Sequence, residues 1–202
     1  MISSLDPDKL DFEKGDGLIN VVVQDARNGK VLTVAFADRE AIDKTIETRE
    51  MHLRSRTRGA WLKGETSGNT QRVVSLLADC DGDAVLARVV PAGPACHEGT
   101  QSCFGDEVEA DALSMLDSIV GRRAEAVVPE GAGYTQSLLA DRNLRLKKIG
   151  EESAEFVLAS ADNDVDSLVE EAADIVYHVA VGLRAHGKAL EDVRQLLWER
   201  SE

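Results

Sequence analysis

The chain has 202 residues and a formal net charge of −14, a length that allows one large domain or two small ones. That acidity argues against nonspecific nucleic-acid binding, which needs Lys and Arg to neutralise phosphates, and against docking on an anionic membrane. Hydrophobic residues make up 43% but aromatic residues only 4%, so any core must rest on Val, Leu, Ile and Ala.

The first stretch, MISSLDPDKLDFEKGDGL, has no basic-then-apolar signal pattern, and no apolar run reaches transmembrane length. A soluble, cytoplasmic chain is expected. LINVVVQDARNGKVLTVAFA reads as two strands around RNGK, because both positions of Asn28-Gly29 tolerate positive φ in a two-residue hairpin turn. DREAIDKTIETRE reads as a helix, with Asp38 as N-cap and Ala41, Ile42 and Ile46 on one side. MHLRSR alternates again, and the apolar runs QRVVSLLAD and DAVLARVVP flank residues 79–83. Composition shifts at FGDEVEADALSML, which places a linker at about residues 105–112. Helical periodicity follows: a helix over 116–126, a Gly/Pro loop over 128–135, one long helix over 137–161, and another over 165–187 ending at Gly187. The expected class is an α+β, β-rich N-terminal domain followed by an all-α domain.

Residues 79–83 read DCDGD. Asp is a hard oxygen ligand suited to Mg²⁺ or Ca²⁺, and Cys a soft ligand suited to Zn²⁺. In an extended segment Asp79, Asp81 and Asp83 point to one face and Cys80 to the other. The other cysteines are Cys96 and Cys103, and an odd count in a leaderless chain argues against a disulfide framework. Their spacing lacks the paired C-x₂-C units of a zinc ribbon. Three thiolates plus a water would still leave an open zinc position, with His97 as a fourth ligand or a proton carrier. The competing reading is a polar turn and two buried thiols. WLKGETSGN places Lys63, Glu65, Thr66, Ser67 and Asn69 around two glycines after Trp61. Such a loop can cradle a phosphate, with Arg54, Arg56 and Arg58 adding cations; an exposed polar loop is the alternative.

In the helical half, at about 100° per residue, Val165, Leu168, Val169, Ala172, Ile175, Val176, Val179 and Leu183 form one apolar face. Glu171, Asp174 and His178 border it. On the preceding helix Glu152 and Glu155 sit together, with Lys148 on their side. Two helices each offering a carboxylate pair one turn apart can cage Mg²⁺. A solvated stripe of i,i+3 and i,i+4 salt bridges is the alternative.

SRTRGAWLKGETSGN, DCDGDAVL, GPACHEG and SCF together resemble phosphoribosyl-AMP cyclohydrolase of histidine biosynthesis. KKIGEESAEFVLAS and LVEEAADIVYHVAVGL resemble phosphoribosyl-ATP pyrophosphohydrolase, of the MazG-like all-α class. Their order resembles the bifunctional family in which the two are fused, here divided as 1–108 and 109–202. The resemblance implies a homodimer in which Cys80 of one subunit joins Cys96 and Cys103 of the other around Zn²⁺. It implies Mg²⁺ at Asp79, Asp81 and Asp83. It implies a zinc-activated hydroxide attacking C6 of the purine so that N1–C6 opens, with His97 carrying a proton. Trp61 and the KGETSGN loop would hold the phosphoribosyl nucleotide, and Arg56 its phosphate. The motif E-x-x-E followed by E-x-x-D maps to Glu152, Glu155, Glu171 and Asp174, with Glu151 as an additional candidate. These would bind Mg²⁺ for cleavage between the α- and β-phosphates, and Lys148 would contact phosphate. Two other readings remain: a cyclohydrolase with a helical dimerisation domain, and a zinc-stabilised binding module.

Overall fold

The computed structural model describes residues 5–55, 59–105, 111–126 and 133–201. The chain forms two compact units, Met1–Ala110 and Asp111–Glu202.

The first unit is built on a six-stranded mixed sheet ordered β4-β3-β2-β1-β6-β5. Its strands are β1 (Ile19–Asp25), β2 (Val31–Ala37), β3 (His52–Ser55), β4 (Gly59–Leu62), β5 (Gln71–Ala78) and β6 (Ala84–Pro91). β1 runs antiparallel to β2 and parallel to β6, so it lies between two strongly apolar strands. Alternation along the pleat buries Ile19, Val21 and Val23 of β1 and Val85, Ala87 and Val89 of β6. Helix α1 (Arg39–Thr48) adds Ala41 and Ile42 to that core. Asp38 caps it by accepting from the Ala41 amide at 2.9 Å, as its sequence position predicts.

The Asn28-Gly29 connection departs from the predicted two-residue turn. Only Gly29 takes a positive φ, +79°. The loop is wider, closed by the Asp25 amide on Lys30 O and the Gly29 amide on Asp25 O, both at 2.8 Å. The cause is the carboxylate of buried Asp25, which Arg27 grips through Nε at 2.9 Å and Nη2 at 2.6 Å. That bidentate clamp fixes the loop around its own charge. The DCDGD stretch is also not extended. It is the loop of the β5–β6 hairpin, closed by the Asp79 amide on Ala84 O at 3.0 Å, with Gly82 at φ +77°. Trp61 lies in a strand: β4 pairs Leu53 with Trp61.

The second unit is helical: α2 (Ala112–Glu125), α3 (Tyr134–Ala140), α4 (Arg142–Asp162), α5 (Val165–Arg184) and α6 (Leu190–Ser201). Its core gathers Val120, Leu138, Ala180, Val181 and Leu190. The long helix predicted over 137–161 is broken at Asp141. That residue leaves the helical region and caps α4, accepting from the Asn143 and Leu144 amides at 2.8 and 3.1 Å. Buried Arg145 then donates to Leu138 O and Leu139 O, satisfying the last carbonyls of α3. Asn163, in the left-handed region, and the Asp164 cap turn the chain from α4 into α5. The helix predicted to end at Gly187 ends at Arg184.

The predicted apolar face of α5 is only partly used. Val165 and Val169 are 66% and 64% exposed. The α4–α5 connection extends past the core, which takes Tyr177, Ala180 and Val181 from the far end of α5. Among the described residues no helix is long and apolar enough to cross a membrane.

Candidate active sites

In the first unit a cleft of about 440 Å³ opens beside β4. Trp61, Lys63, Glu65, Thr66 and Ser67 form one wall, and Ala95, Cys96 and His97 the other. Gly64 makes the first wall possible. It sits at φ +90°, where an added Cβ would lie 2.1 Å from Asn69 O. Asn69 is not among the residues that line the cleft; it ties the two walls together, donating to Pro94 O at 3.1 Å. Lys63 donates to Ala95 O at 2.7 Å and lies 5.7 Å from the Trp61 ring centroid. Arg54 is engaged with Asp38 at 2.6 Å; Arg56 and Arg58 lie outside the described residues.

Cys96 opens a tight turn in which its amide donates to Thr100 O at 3.1 Å and the Gly99 amide returns to Cys96 O at 3.1 Å. The Glu98 backbone N–H, then the Thr100 and Cys103 side chains, push the Cys96 thiol below its ordinary value. A thiolate stabilised in this way is what zinc ligation needs. Cys103 is set by its neighbour. Ser102, fully buried, donates to Val31 O at 2.8 Å and accepts from the Phe104 amide at 3.0 Å. Ser102 carries no spacing or periodicity signal; only its place before Cys103 hints at it. No cysteine forms a disulfide, and Cys80 and Cys103 are exposed rather than buried. Among the described residues Cys80 joins no ligand group with Cys96 and Cys103 within one chain. His97 Nδ1 lies 3.8 Å from Cys96 Sγ.

Asp79, Asp81 and Asp83 do converge, each offering an oxygen within 4.8 Å of the others. The hairpin loop brings them together, where extended alternation was expected to do so. Lys14 Nζ lies 2.6 Å from Asp81 Oδ2, and that hydrogen bond holds the Asp81 carboxyl below the usual range. An all-oxygen donor set fits a hard cation such as Mg²⁺.

In the second unit Glu152 and Glu155 of α4 meet Glu171 of α5, again with one oxygen each within 4.8 Å. Lys148 donates to Glu152 Oε1 at 2.7 Å and reaches Glu151 at 3.2 Å. Its hydrogen bond holds buried Glu152 below the ordinary range and lifts the Lys148 ammonium above its own. Glu171 is pushed the other way, first by desolvation and then by the Glu155 charge. Its Oε2 is buried with no hydrogen-bond partner. A carboxylate oxygen buried beside two like charges fits a cation ligand. Asp174 lies one turn further along α5, exposed and outside this group, where its charge also raises Glu171.

His178 and Tyr134 complete the neighbourhood. Buried His178 places Nε2 3.8 Å from Glu152 Oε1 and 3.4 Å from Tyr134 Oη. Desolvation lowers its pKa, which keeps the ring neutral. Tyr134 stacks on Tyr177 at 6.2 Å. Tyr134 was legible only as part of a loop, because α3 brings it to the cluster across 44 residues of sequence.

Residues 33–105 match the family described as phosphoribosyl-AMP cyclohydrolase, and residues 114–201 the family described as phosphoribosyl-ATP pyrophosphohydrolase. The chain is 46% identical to the histidine biosynthesis bifunctional protein HisIE of Thermus thermophilus, over 91% of this chain and 89% of that protein. It is 44% identical to the protein of the same name from Bacillus subtilis, over 96% and 95% of the two chains. Identity to the one from Escherichia coli is 42%, over 96% of each. With both halves matched in order and the relatives covered almost end to end, the chain belongs to the family of histidine-biosynthesis bifunctional proteins that join a phosphoribosyl-AMP cyclohydrolase to a phosphoribosyl-ATP pyrophosphohydrolase.

Proposed function

We propose that this chain is a two-step hydrolase of histidine biosynthesis. The helical unit removes pyrophosphate from N1-(5-phosphoribosyl)-ATP, and the β-rich unit opens the purine of the resulting phosphoribosyl-AMP between N1 and C6. The observation that carries this reading is the pairing of two carboxylate clusters, one in each unit, with the two matched hydrolase families.

In the helical unit Glu152, Glu155 and Glu171, with Asp174 at the rim, would hold Mg²⁺. Bound there, Mg²⁺ supplies positive charge against the phosphate oxygens of the substrate and the developing charge of the transition state. Lys148 serves as a phosphate contact at the edge of the cluster. Glu152 stays ionised beside Lys148, so it is a ready ligand at neutral pH.

In the β-rich unit Cys96 and Cys103 would hold Zn²⁺ together with Cys80 of a second copy, and Asp79, Asp81 and Asp83 would hold Mg²⁺. Bound there, zinc supplies the Lewis acidity that makes water nucleophilic near neutral pH. Trp61 offers a ring face to the nucleotide, and Lys63, Glu65, Thr66 and Ser67 offer polar groups, while Asn69 keeps the two walls together. Arg56, which lies outside the described residues, would contact the phosphate, as the family resemblance implies. His97, beside Cys96, carries a proton to N1 as it leaves C6.

A homodimer is part of this reading. Among the described residues Cys80, Cys96 and Cys103 form no three-ligand group within one chain. Val34, Phe36 and Phe104 of the first unit and Val157, Leu158, Val165 and Val169 of the second are exposed, and a second copy would cover part of that surface.

The test supplies phosphoribosyl-ATP to the purified chain with Mg²⁺ and Zn²⁺ added separately, following pyrophosphate and ring-opened product. Pyrophosphate is expected with Mg²⁺ alone, and ring opening only when zinc is also bound. Ring opening at full rate in zinc-stripped protein would overturn the zinc assignment.

A further inference from the structure

Residues 5–17 precede the matched span 33–105, yet they are tied to the carboxylate loop of the β5–β6 hairpin. The Asp11 amide donates to Gly82 O at 2.8 Å. Gly82 packs so closely on this segment that an added Cβ would lie 2.7 Å from Lys9 O. Leu10 anchors the segment in the core. Asp11 Oδ1 accepts from the Glu13 and Lys14 amides at 3.1 and 3.2 Å, which fixes the turn that presents Lys14. The Lys14 ammonium then lies 2.6 Å from Asp81 Oδ2 and 3.6 Å from Asp83 Oδ2.

Three carboxylates with oxygens within 4.8 Å of one another repel unless a cation compensates. The Lys14 ammonium is a cation in contact with two of them. A divalent ion would use the same oxygens, and an ammonium in contact with them would leave two cations side by side. We propose that Lys14 is a resident counter-cation that a divalent ion must displace from Asp81 and Asp83. Lys14 keeps the loop gathered without metal and raises the metal concentration needed to load it. The proposal rests on reading Asp79, Asp81 and Asp83 as Mg²⁺ ligands.

The test titrates Mn²⁺ alone into the ¹⁵N-labelled full chain and follows paramagnetic broadening of the Gly82 amide, which lies within the carboxylate loop. Lys14→Met is expected to reach half-broadening at about threefold lower Mn²⁺ than wild type, in line with loss of one exposed ion pair. Lys14→Arg, which keeps the charge, should stay near wild type. The remaining sheet amides, unshifted in both variants, establish that the fold is kept. Half-broadening of Lys14→Met at the same or higher Mn²⁺ overturns the role of Lys14 while leaving the Mg²⁺ reading in place. A Gly82 amide that Mn²⁺ broadens in neither protein overturns both.

Discussion

Glu152 and Glu171 give oxygens to one cluster but are pushed in opposite directions, Glu152 down by Lys148 and Glu171 up by burial and then by Glu155. A carboxyl whose folded-state pKa is raised supports folding while protonated and opposes it once ionised. The Glu171 contribution is therefore full below the ordinary value of 4.5 and lost as pH rises through the raised value. In chelator-treated protein Glu171→Gln should melt above wild type near neutral pH, with the gap closing below pH 4.5. Thermal unfolding at the two pH values checks this, and a variant that melts lower near neutral pH would contradict it. Ser102→Ala removes a buried hydroxyl that bonds both ways. The loss should be about 1–3 kcal/mol in urea unfolding, together with weaker zinc retention as Cys103 loosens. The glutamates were legible in the sequence because helical geometry fixes which carboxylates share a side. Ser102 was not, because its partners belong to β2, some 70 residues earlier.

The elements show why some boundaries could be read and others not. Asp38 and α1 follow from local rules alone: a capping carboxylate, then apolar residues at helical spacing. The Asn28-Gly29 signal is just as local but loses to the ion pair of Asp25 and Arg27, which a turn motif does not encode. The DCDGD stretch was read for its chemistry under the wrong backbone; a hairpin loop gathers its carboxylates where strand alternation was expected. Asp141 looks like an interior helix residue, yet it ends one helix and caps the next. Asp141→Ala should destabilise the helical unit by about 1 kcal/mol in urea unfolding; an unchanged midpoint would mean the cap contributes nothing. Gly64→Ala forces a Cβ onto Asn69 O. It is expected to abolish nucleotide binding at the cleft, measured by calorimetry, while the circular dichroism of the sheet persists.

The molecule carries two units, each with its own core and its own carboxylate cluster, so the two activities should separate by mutation. The exposed apolar residues of α4 and α5 fit coverage by a second copy. On the proposed homodimer, Val165→Lys/Val169→Lys should shift sedimentation toward the monomer. The sequence shows the apolar face of α5 but not its partner, because such a face reads the same whether it packs within a chain or between chains. The most direct measurement is product analysis of two single variants fed phosphoribosyl-ATP. Glu171→Ala should release no pyrophosphate yet still open the ring of supplied phosphoribosyl-AMP. Cys96→Ser should release pyrophosphate and accumulate phosphoribosyl-AMP. Undiminished pyrophosphate release by Glu171→Ala would contradict a hydrolytic centre in the helical unit.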